Sequence, residues 1–527
     1  MTPVSDRRAL RAARAVIAQR GDKQRTGDIA YLTYTVILTV AIAVFPVLRL
    51  VVLGLATPSV QALTALPEVV GVVTLAGSIL VAGALLLGPI RGPAIPRPFL
   101  AQFLLGSPIV RRLGLRRPFL SSSFALAFFF ISAAGMLAIA NKVSASSAEG
   151  SGDPQAVAFL IVSALAFSIL LSIDWLMGQT LPRWVTGTVA AIVLATGSVA
   201  ACSSVATLTP LATLATTVTP WGWLALSSQG LGAPAPIVWP TAALVISSVS
   251  LVVVPRLLDS VSAPKVLAQS LRWLTTGILL TTGDAAAAVG GFRPPPTRAR
   301  HLHITFRGPM ILTVFTRDAL AIIRFPMRLA VGIVSVMAAG WLIGTIAVVP
   351  EGIRWALALP GALLAYLAAG VWCDGLRNSS SNAAASSLYG WAVGPLTLAH
   401  AVAPLIAVIV FGGAGVLLAG NAQTSAVWWI LLAVFTVIVR VYDSAKGPLP
   451  VLLMMPIVTP VGDLSVLNVL LWQSDAILLA LAIGGGLSLA YFTGASGAVA
   501  AFLSLVLGSA VVALLALRRV RAMDRRS

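Results

Sequence analysis

Four lysines occur in the 527-residue chain, Lys23, Lys142, Lys265 and Lys446, and none follows a glycine. A phosphate-binding loop of the form G-x-x-x-x-G-K-[ST] needs that glycine so that backbone amides and the ammonium converge on the phosphates. Nucleotide hydrolysis by that motif is therefore not expected of this chain. The three histidines are His301, His303 and His400. No H-E-x-x-H sets two of them on one helix face, and His400 lies in an apolar run while the others lie in a basic connector, so no catalytic zinc site is expected. Cys202 and Cys373 are too few for a cysteine-rich metal site or a disulfide scaffold. In the topology developed below they fall near opposite faces, which predicts no disulfide between them. No catalytic, cofactor-binding or metal-ligating residues are assigned, and the chain is not expected to be an enzyme.

The ionisable residues inside apolar runs are the next candidates, because charge in a hydrocarbon layer is costly and is functional by default. Arg49 either lines a pathway or snorkels to the interface. His400 either makes a structural hydrogen bond or relays protons. Asp174, Asp374 and Asp443 fall near span ends and are predicted to bridge to Arg183, Arg377 or Arg440. No row of carboxylates crosses the apolar middle, which argues against an ion-driven carrier.

The elements that position these residues follow from composition. Apolar residues make up 58% of the chain and charged residues 10%, against about a quarter charged in a soluble domain. Uncharged stretches of about 20 residues recur, each long enough to cross a hydrocarbon core about 30 Å thick as a helix. They are continuously apolar and do not alternate, so the expected fold is all-α: a polytopic bundle of about 12 spans, not a barrel. Of the 35 Lys and Arg, 28 lie in residues 1–29, 91–117, 255–328 and 518–527. Confinement between spans makes the net charge of +19 a topology signal, not a nucleic-acid surface. Both termini are therefore expected in the cytoplasm, with anionic membrane lipids as partners and no nucleic acid. The apolar run from Ile29 to about Leu55 is too long for a signal-peptide core and reads as a retained first span.

The predicted spans of the first half are 29–55, 67–90, 119–141, 155–178, 182–204 and 236–254. Residues 205–235 are uncharged and rich in Pro and Gly, and read as short half-helices dipping into the outer leaflet. Those of the second half lie near 327–349, 353–372, 392–418 and 426–442, followed by apolar segments 447–471, 476–493 and 496–517. The five arginines of the tail would lie outside if all three crossed, so one is expected to be re-entrant. The segment 476–493, with Gly484, Gly485 and Gly486, is favoured over 447–471, with Pro456, Pro460 and Asp463. Asp174, Gly178 and Leu181-Pro182 resemble Asp443, Gly447 and Leu449-Pro450, a weak repeat of the kind found in transporters.

The organisation expected is thus a basic amphipathic surface helix (1–28), a six-span half (29–254), and a cytoplasmic connector (255–326). A second six-span half (327–517) and a basic tail (518–527) follow. Within the connector, Ile311, Val314, Phe315, Ile322 and Ile323 alternate with Arg317, Asp318 and Arg324 as an in-plane helix would. The loop from Pro98 through Ser107-Pro108 to Arg111 and Arg112 is either a short helix presented to a cytoplasmic partner or a basic loop on headgroups. Residues 377–391 hold the equivalent place in the second half with less charge.

A basic surface helix before each half, a loop after each second span and re-entrant segments before the last span together resemble an ABC-2-type exporter permease with two fused halves. The resemblance spans nearly the whole chain and rests on architecture, not on a diagnostic motif. It implies a plasma-membrane permease that binds no cofactor itself and draws on ATP through a separate cytoplasmic ATPase subunit, expected as a dimer. ATPase coupling would fall to Phe99, Phe103, Leu104, Ser107, Arg111 and Arg112, and the outer gate to Pro220, Trp221, Trp223 and Gln229. The substrate implied is amphipathic: a lipid, peptide or antibiotic. The readings set against it are an ion-gradient carrier, a lipid-linked glycosyltransferase, disfavoured by the uncharged segment 205–235, and a membrane scaffold.

Overall fold

A computed structural model describes residues 8–12, 15–16, 33–34, 37–38, 40–64, 66–107, 109–146, 154–201, 209–228, 237–281, 288, 290–292, 301, 308–349, 351–383, 391–420, 422–447, 449–455, 458–459, 462–463 and 465–524. The described residues hold nine helices long and apolar enough to cross a membrane, or up to eleven if each of two bent pairs counts as one span. The protein is a multi-pass helical membrane protein. Helices prevail because backbone N–H and C=O groups in lipid have only one another as partners. The strands among the described residues are the pair Val458–Thr459 and Gly462–Asp463. The chain divides into two compact units, Met1–Gly277 and Ile278–Ser527.

The first unit contains α1 (Phe45–Leu55), α2 (Pro67–Leu87), α3 (Pro98–Gly106), α4 (Arg111–Ser146), α5 (Pro154–Thr180) and α6 (Arg183–Ala201). Then come α7 (Thr209–Val218), α8 (Pro220–Ser228), α9 (Val238–Leu251), α10 (Val254–Ser260) and α11 (Ala263–Thr281). Prolines open α2, α3 and α8, where the missing N–H would have had no partner anyway. α2 packs against α5 and α6, α4 against α1 and α5, and α9 against α5. Lipid tails are as apolar as leucine, so such pairs are held by close approach and hydrogen bonds. At Gly178 of α5 an added Cβ would collide with the Leu85 carbonyl of α2.

Residues 255–277 of the connector expected at 255–326 belong to the first unit. α9 and α10 meet at a 42° bend, and Val254, Leu258, Val261 and Val266 enter an apolar core with Leu100, Leu104, Leu115 and Ile173. The same core takes in Leu10 of the basic N-terminal helical segment.

The second unit contains α12 (Met310–Ile323), α13 (Pro326–Thr345), α14 (Glu351–Ala369), α15 (Asp374–Ser381), α16 (Val393–Leu418) and α17 (Ala422–Ser444). The last elements are α18 (Ser465–Leu479), a π-helical turn Ala480–Gly485, α19 (Gly486–Tyr491) and α20 (Ala495–Asp524). α16 stops at Gly420, whose φ of 81° is reached without strain only where no Cβ is present. α13 packs on α14 and α16, α17 on α14, α16 and α20, and α14 on the π turn and α19. Gly340 and Gly415 bring α13 and α16 to backbone contact. Trp428, Trp429 and Phe435 fill the centre, with both indole N–H groups satisfied, by Ser488 Oγ at 2.8 Å and Val408 O at 3.1 Å.

One expectation is overturned here. Leu467–Tyr491 is a continuous apolar helix, so 476–493 is not re-entrant. The break falls in 447–464, where Gly447 takes φ 73° and a 3-10 turn and the strand pair follow. A π turn absorbs the glycine run of Gly484 to Gly486 inside the helix by widening it, without breaking it.

Candidate functional site

The strongest concentration of polar side chains in the first unit surrounds the loop between α2 and α3. Gly88-Pro89 ends α2, and Pro93 and Pro96 prevent a new helix before Pro98. Gly92, Pro93, Ala94 and Pro96 are nonetheless buried. Buried irregular backbone requires a partner for every polar group, and five side chains supply them. Gln269 Nε2 donates to Gly88 O and Pro89 O (3.0 and 2.9 Å). Trp175 Nε1 donates to Arg91 O (2.5 Å), Ser122 Oγ to Pro93 O (3.0 Å) and Ser270 Oγ to Pro96 O (2.7 Å). The amide of Ala94 donates to Gln179 Oε1 (3.3 Å), and Gln179 Nε2 to Gln269 Oε1 (2.9 Å).

Lys265 closes this cradle by donating to Gln179 O, one of the open carbonyls at the C-terminus of α5. Burial first, and the neighbouring Arg183 second, hold its ammonium below the usual lysine range. Among the described residues Asp174, one turn before Gly178, makes no ion pair with Arg183 or any other group. The predicted bridge is absent because Arg183 opens α6 and is exposed.

The cradle fixes α3 and sorts the residues expected to couple to a partner. Phe99 is 53% exposed, and Gln102 is exposed beside it. Leu104 is buried, and Phe103, half-buried, packs on the same core. Ser107 Oγ is buried and meets no hydrogen-bond partner among the described residues. Arg111 donates to Val261 O at 2.8 Å. The Arg112 amide donates to Asp259 at 2.9 Å and its guanidinium pairs with the same carboxylate at 3.7 Å. Both arginines brace α4 on α10, a partnership that sequence reasoning missed because 147 and 150 residues separate the groups.

Residues 209–228 form two short helices, as the proline and glycine content predicted. α8 lies against α2, α5 and α9, and α7 against α6. Trp221 Nε1 donates to Ser78 Oγ (2.7 Å) and Trp223 Nε1 to Thr217 O (2.7 Å). Ser227 accepts from Ser163 at 2.9 Å. Pro220 opens α8, and Gln229 lies outside the described residues, as does Cys202.

The second unit answers the same problem with charge. At the end of α14, Arg440 donates to Tyr366 O and Leu367 O, Arg377 to Gly370 O (3.4 Å) and Arg328 to Val371 O (3.0 Å). Asp374 pairs with Arg328 and Arg377, and Asp443 pairs with Arg440 (3.6 Å) and accepts from Tyr366 (3.0 Å). Asp475 gathers Lys446, Arg519 and Tyr442. His400 Nδ1 and Asp318 Oδ2 are 2.7 Å apart, with both side chains under 10% exposed. This pair ties α12 to α16, and Gly375 of α15 sits against it with no room for a Cβ. Arg49 of α1 is exposed and has no partner among the described residues.

Charge-assisted bonds at these helix ends brace the backbone carbonyls that they reach. Among the described residues no three His, Cys, Asp or Glu side chains converge as metal ligands would. No protein-family model, curated protein or solved structure matches this chain.

Proposed function

We propose that the chain is the permease subunit of an ATP-driven exporter, with twelve spans in two fused six-span halves and both termini in the cytoplasm of a plasma-membrane protein. The observation that carries this reading is α3, a short helix between the second and third spans. The loop leading into it is held by a polar cradle, its inner face packs Leu100 and Leu104 into an apolar core, and it leaves Phe99 and Gln102 outward. A helix so held transmits a push from a soluble partner to α2, α4 and α5 without bending.

Helix pairing supports the repeat. With α1, α2, α4, α5, α6 and α9–α10 as one set of six, and α13, α14, α16, α17, α18–α19 and α20 as the other, pairs 1–3, 2–4, 2–5, 3–4 and 4–6 recur in both units. Leu10 in the N-terminal segment and Asp318 in α12 give each half an anchored basic surface helix. With 447–464 not crossing, six spans return the tail arginines to the side where the half begins, as the positive-inside rule asks. The substrate is amphipathic, because the spans present few unsatisfied polar groups. Energy comes from ATP bound by a separate subunit.

The test is purification of the tagged chain from native membranes in a gentle detergent. An ATP-hydrolysing subunit co-purifies, and Phe99→Asp releases it while the chain stays folded. Recovery of the chain alone, with no ATPase activity, refutes the reading. Asp174 favours a second one, a carrier driven by an ion gradient, since a carboxyl without an ion partner in a span is a natural proton site. Transport in sealed vesicles that follows a proton gradient and ignores ATP selects it.

A further inference from the structure

The second unit carries a groove of about 340 Å³ between α16, α17 and α20, lined by Gly394, Leu405, Val441, Ala513, Leu517 and Val520 among other small and aliphatic residues. Its polar side chain, Thr397, already donates to Val393 O at 2.7 Å. Ordered water needs two to four polar partners and finds none here. From Gly394 to Leu405 the groove follows α16 for about 16 Å, close to one leaflet of a hydrocarbon core about 30 Å thick. Spreading 340 Å³ over that length gives a mean cross-section of about 21 Å², a fraction of the roughly 80–110 Å² of a helix about 10–12 Å across. The groove has the dimensions of a single alkyl chain, not of a helix.

Charge lies at one end. Leu517 and Val520 line the groove, and Arg521 follows one turn beyond Leu517 on the same flank of α20. Arg518 and Arg521 are exposed, and neither has a hydrogen-bond or ion-pair partner among the described residues. Arg519 between them is engaged by Asp475 and Tyr442. Helix periodicity turns Arg518 to the far side of α20 and leaves Arg521 at the edge of the lining face, where its exposed guanidinium selects an amphiphile with an anionic head.

We propose that the groove between α16, α17 and α20 is a saturable site for one acyl chain of an anionic phospholipid, whose phosphate is held by Arg521. The site goes beyond the exporter reading and stands whether or not an ATPase drives the protein.

Native mass spectrometry of the full chain, delipidated and titrated with phosphatidylglycerol or phosphatidylcholine of identical chains, tests it. Wild type retains a single phosphatidylglycerol at least tenfold more tightly than phosphatidylcholine. Arg521→Gln, at an exposed position where folding is undisturbed, abolishes that preference, whereas Arg518→Gln on the far side of α20 keeps it. Ala513→Phe, which fills the groove from its open side, removes retention of both lipids. Equal retention of the two lipids by wild type, or an undiminished preference in Arg521→Gln, overturns the proposal.

Discussion

Replacing Gln269 by leucine isolates what holds the α2–α3 loop. Gln269 is 2% exposed, and leucine has nearly its volume, so the change removes polarity with little loss of packing. Three groups lose their partner: Gly88 O, Pro89 O and Gln179 Nε2. A buried group left unsatisfied costs about 1–3 kcal/mol, and polar bonds inside membrane proteins average near the low end. The expected loss is about 3 kcal/mol, which at roughly 2–4 °C per kcal/mol for a domain of this size lowers the unfolding midpoint by about 6–12 °C. Trp175 and Trp273 lie beside the loop, Trp175 bonded to Arg91 O and Trp273 under the Arg91 guanidinium at 4.5 Å, so intrinsic fluorescence in mild detergent reports the transition. Gln102→Leu, at an exposed position of α3, is the control and leaves the midpoint within about 1 °C. Gln179→Leu with Gln269→Leu costs less than the sum of the single changes, because each removes the partner the other would strand. If Gln269→Leu melts with the Gln102→Leu control, the cradle does not hold the loop.

Two further outcomes follow from the second unit. Gly340→Ala drives a Cβ into the Gly412 carbonyl, whereas Gly413→Ala meets nothing within 4 Å; the first loses about 1–3 kcal/mol to overpacking and the second gains up to about 1 kcal/mol of helix propensity, read from thermal unfolding in detergent. Asp318→Ala strands His400 and detaches α12, so a cysteine placed at Arg317 reacts faster with a water-soluble maleimide, whereas Asp318→Asn keeps a hydrogen bond and labels close to the wild-type rate.

How much of this was legible in the sequence depends on the range of the interaction. The spans were readable because a continuous apolar run must become a helix in lipid, and the runs at 155–178, 182–204 and 392–418 lie within a few residues of α5, α6 and α16. The amphipathic helix Met310–Ile323 was readable from its periodicity, and the bridges Asp374–Arg377 and Asp443–Arg440 from their i,i+3 spacing. Gly484, Gly485 and Gly486 misled, since glycine marks a break only if the backbone cannot stay helical, and a π turn let it. Arg111 and Arg112 have partners that no local pattern announced: the Val261 carbonyl accepts from Arg111, and Asp259 takes the Arg112 amide while the Arg112 side chain stays half exposed.

The partners of the cradle were not legible at all, and the reason has a functional consequence. Gln179 and Gln269 are uncharged amides inside apolar helices, so neither hydropathy nor charge marks them, while in the second unit arginines and aspartates hold the same place and do stand out. Neutral bonds hold a buried loop at a cost that is nearly independent of pH and salt. Charged bonds at partly exposed ends are screened by salt and respond to any ion that approaches them. The α2–α3 loop is therefore built to stay fixed, whereas the end of α14, with Asp374 about a quarter exposed, is built on contacts that can be exchanged. The end of α14 therefore yields to salt before the α2–α3 loop does. High salt should then loosen the second unit first, and hydrogen exchange that rises equally at residues 88–97 and 366–374 with added salt would refute that order.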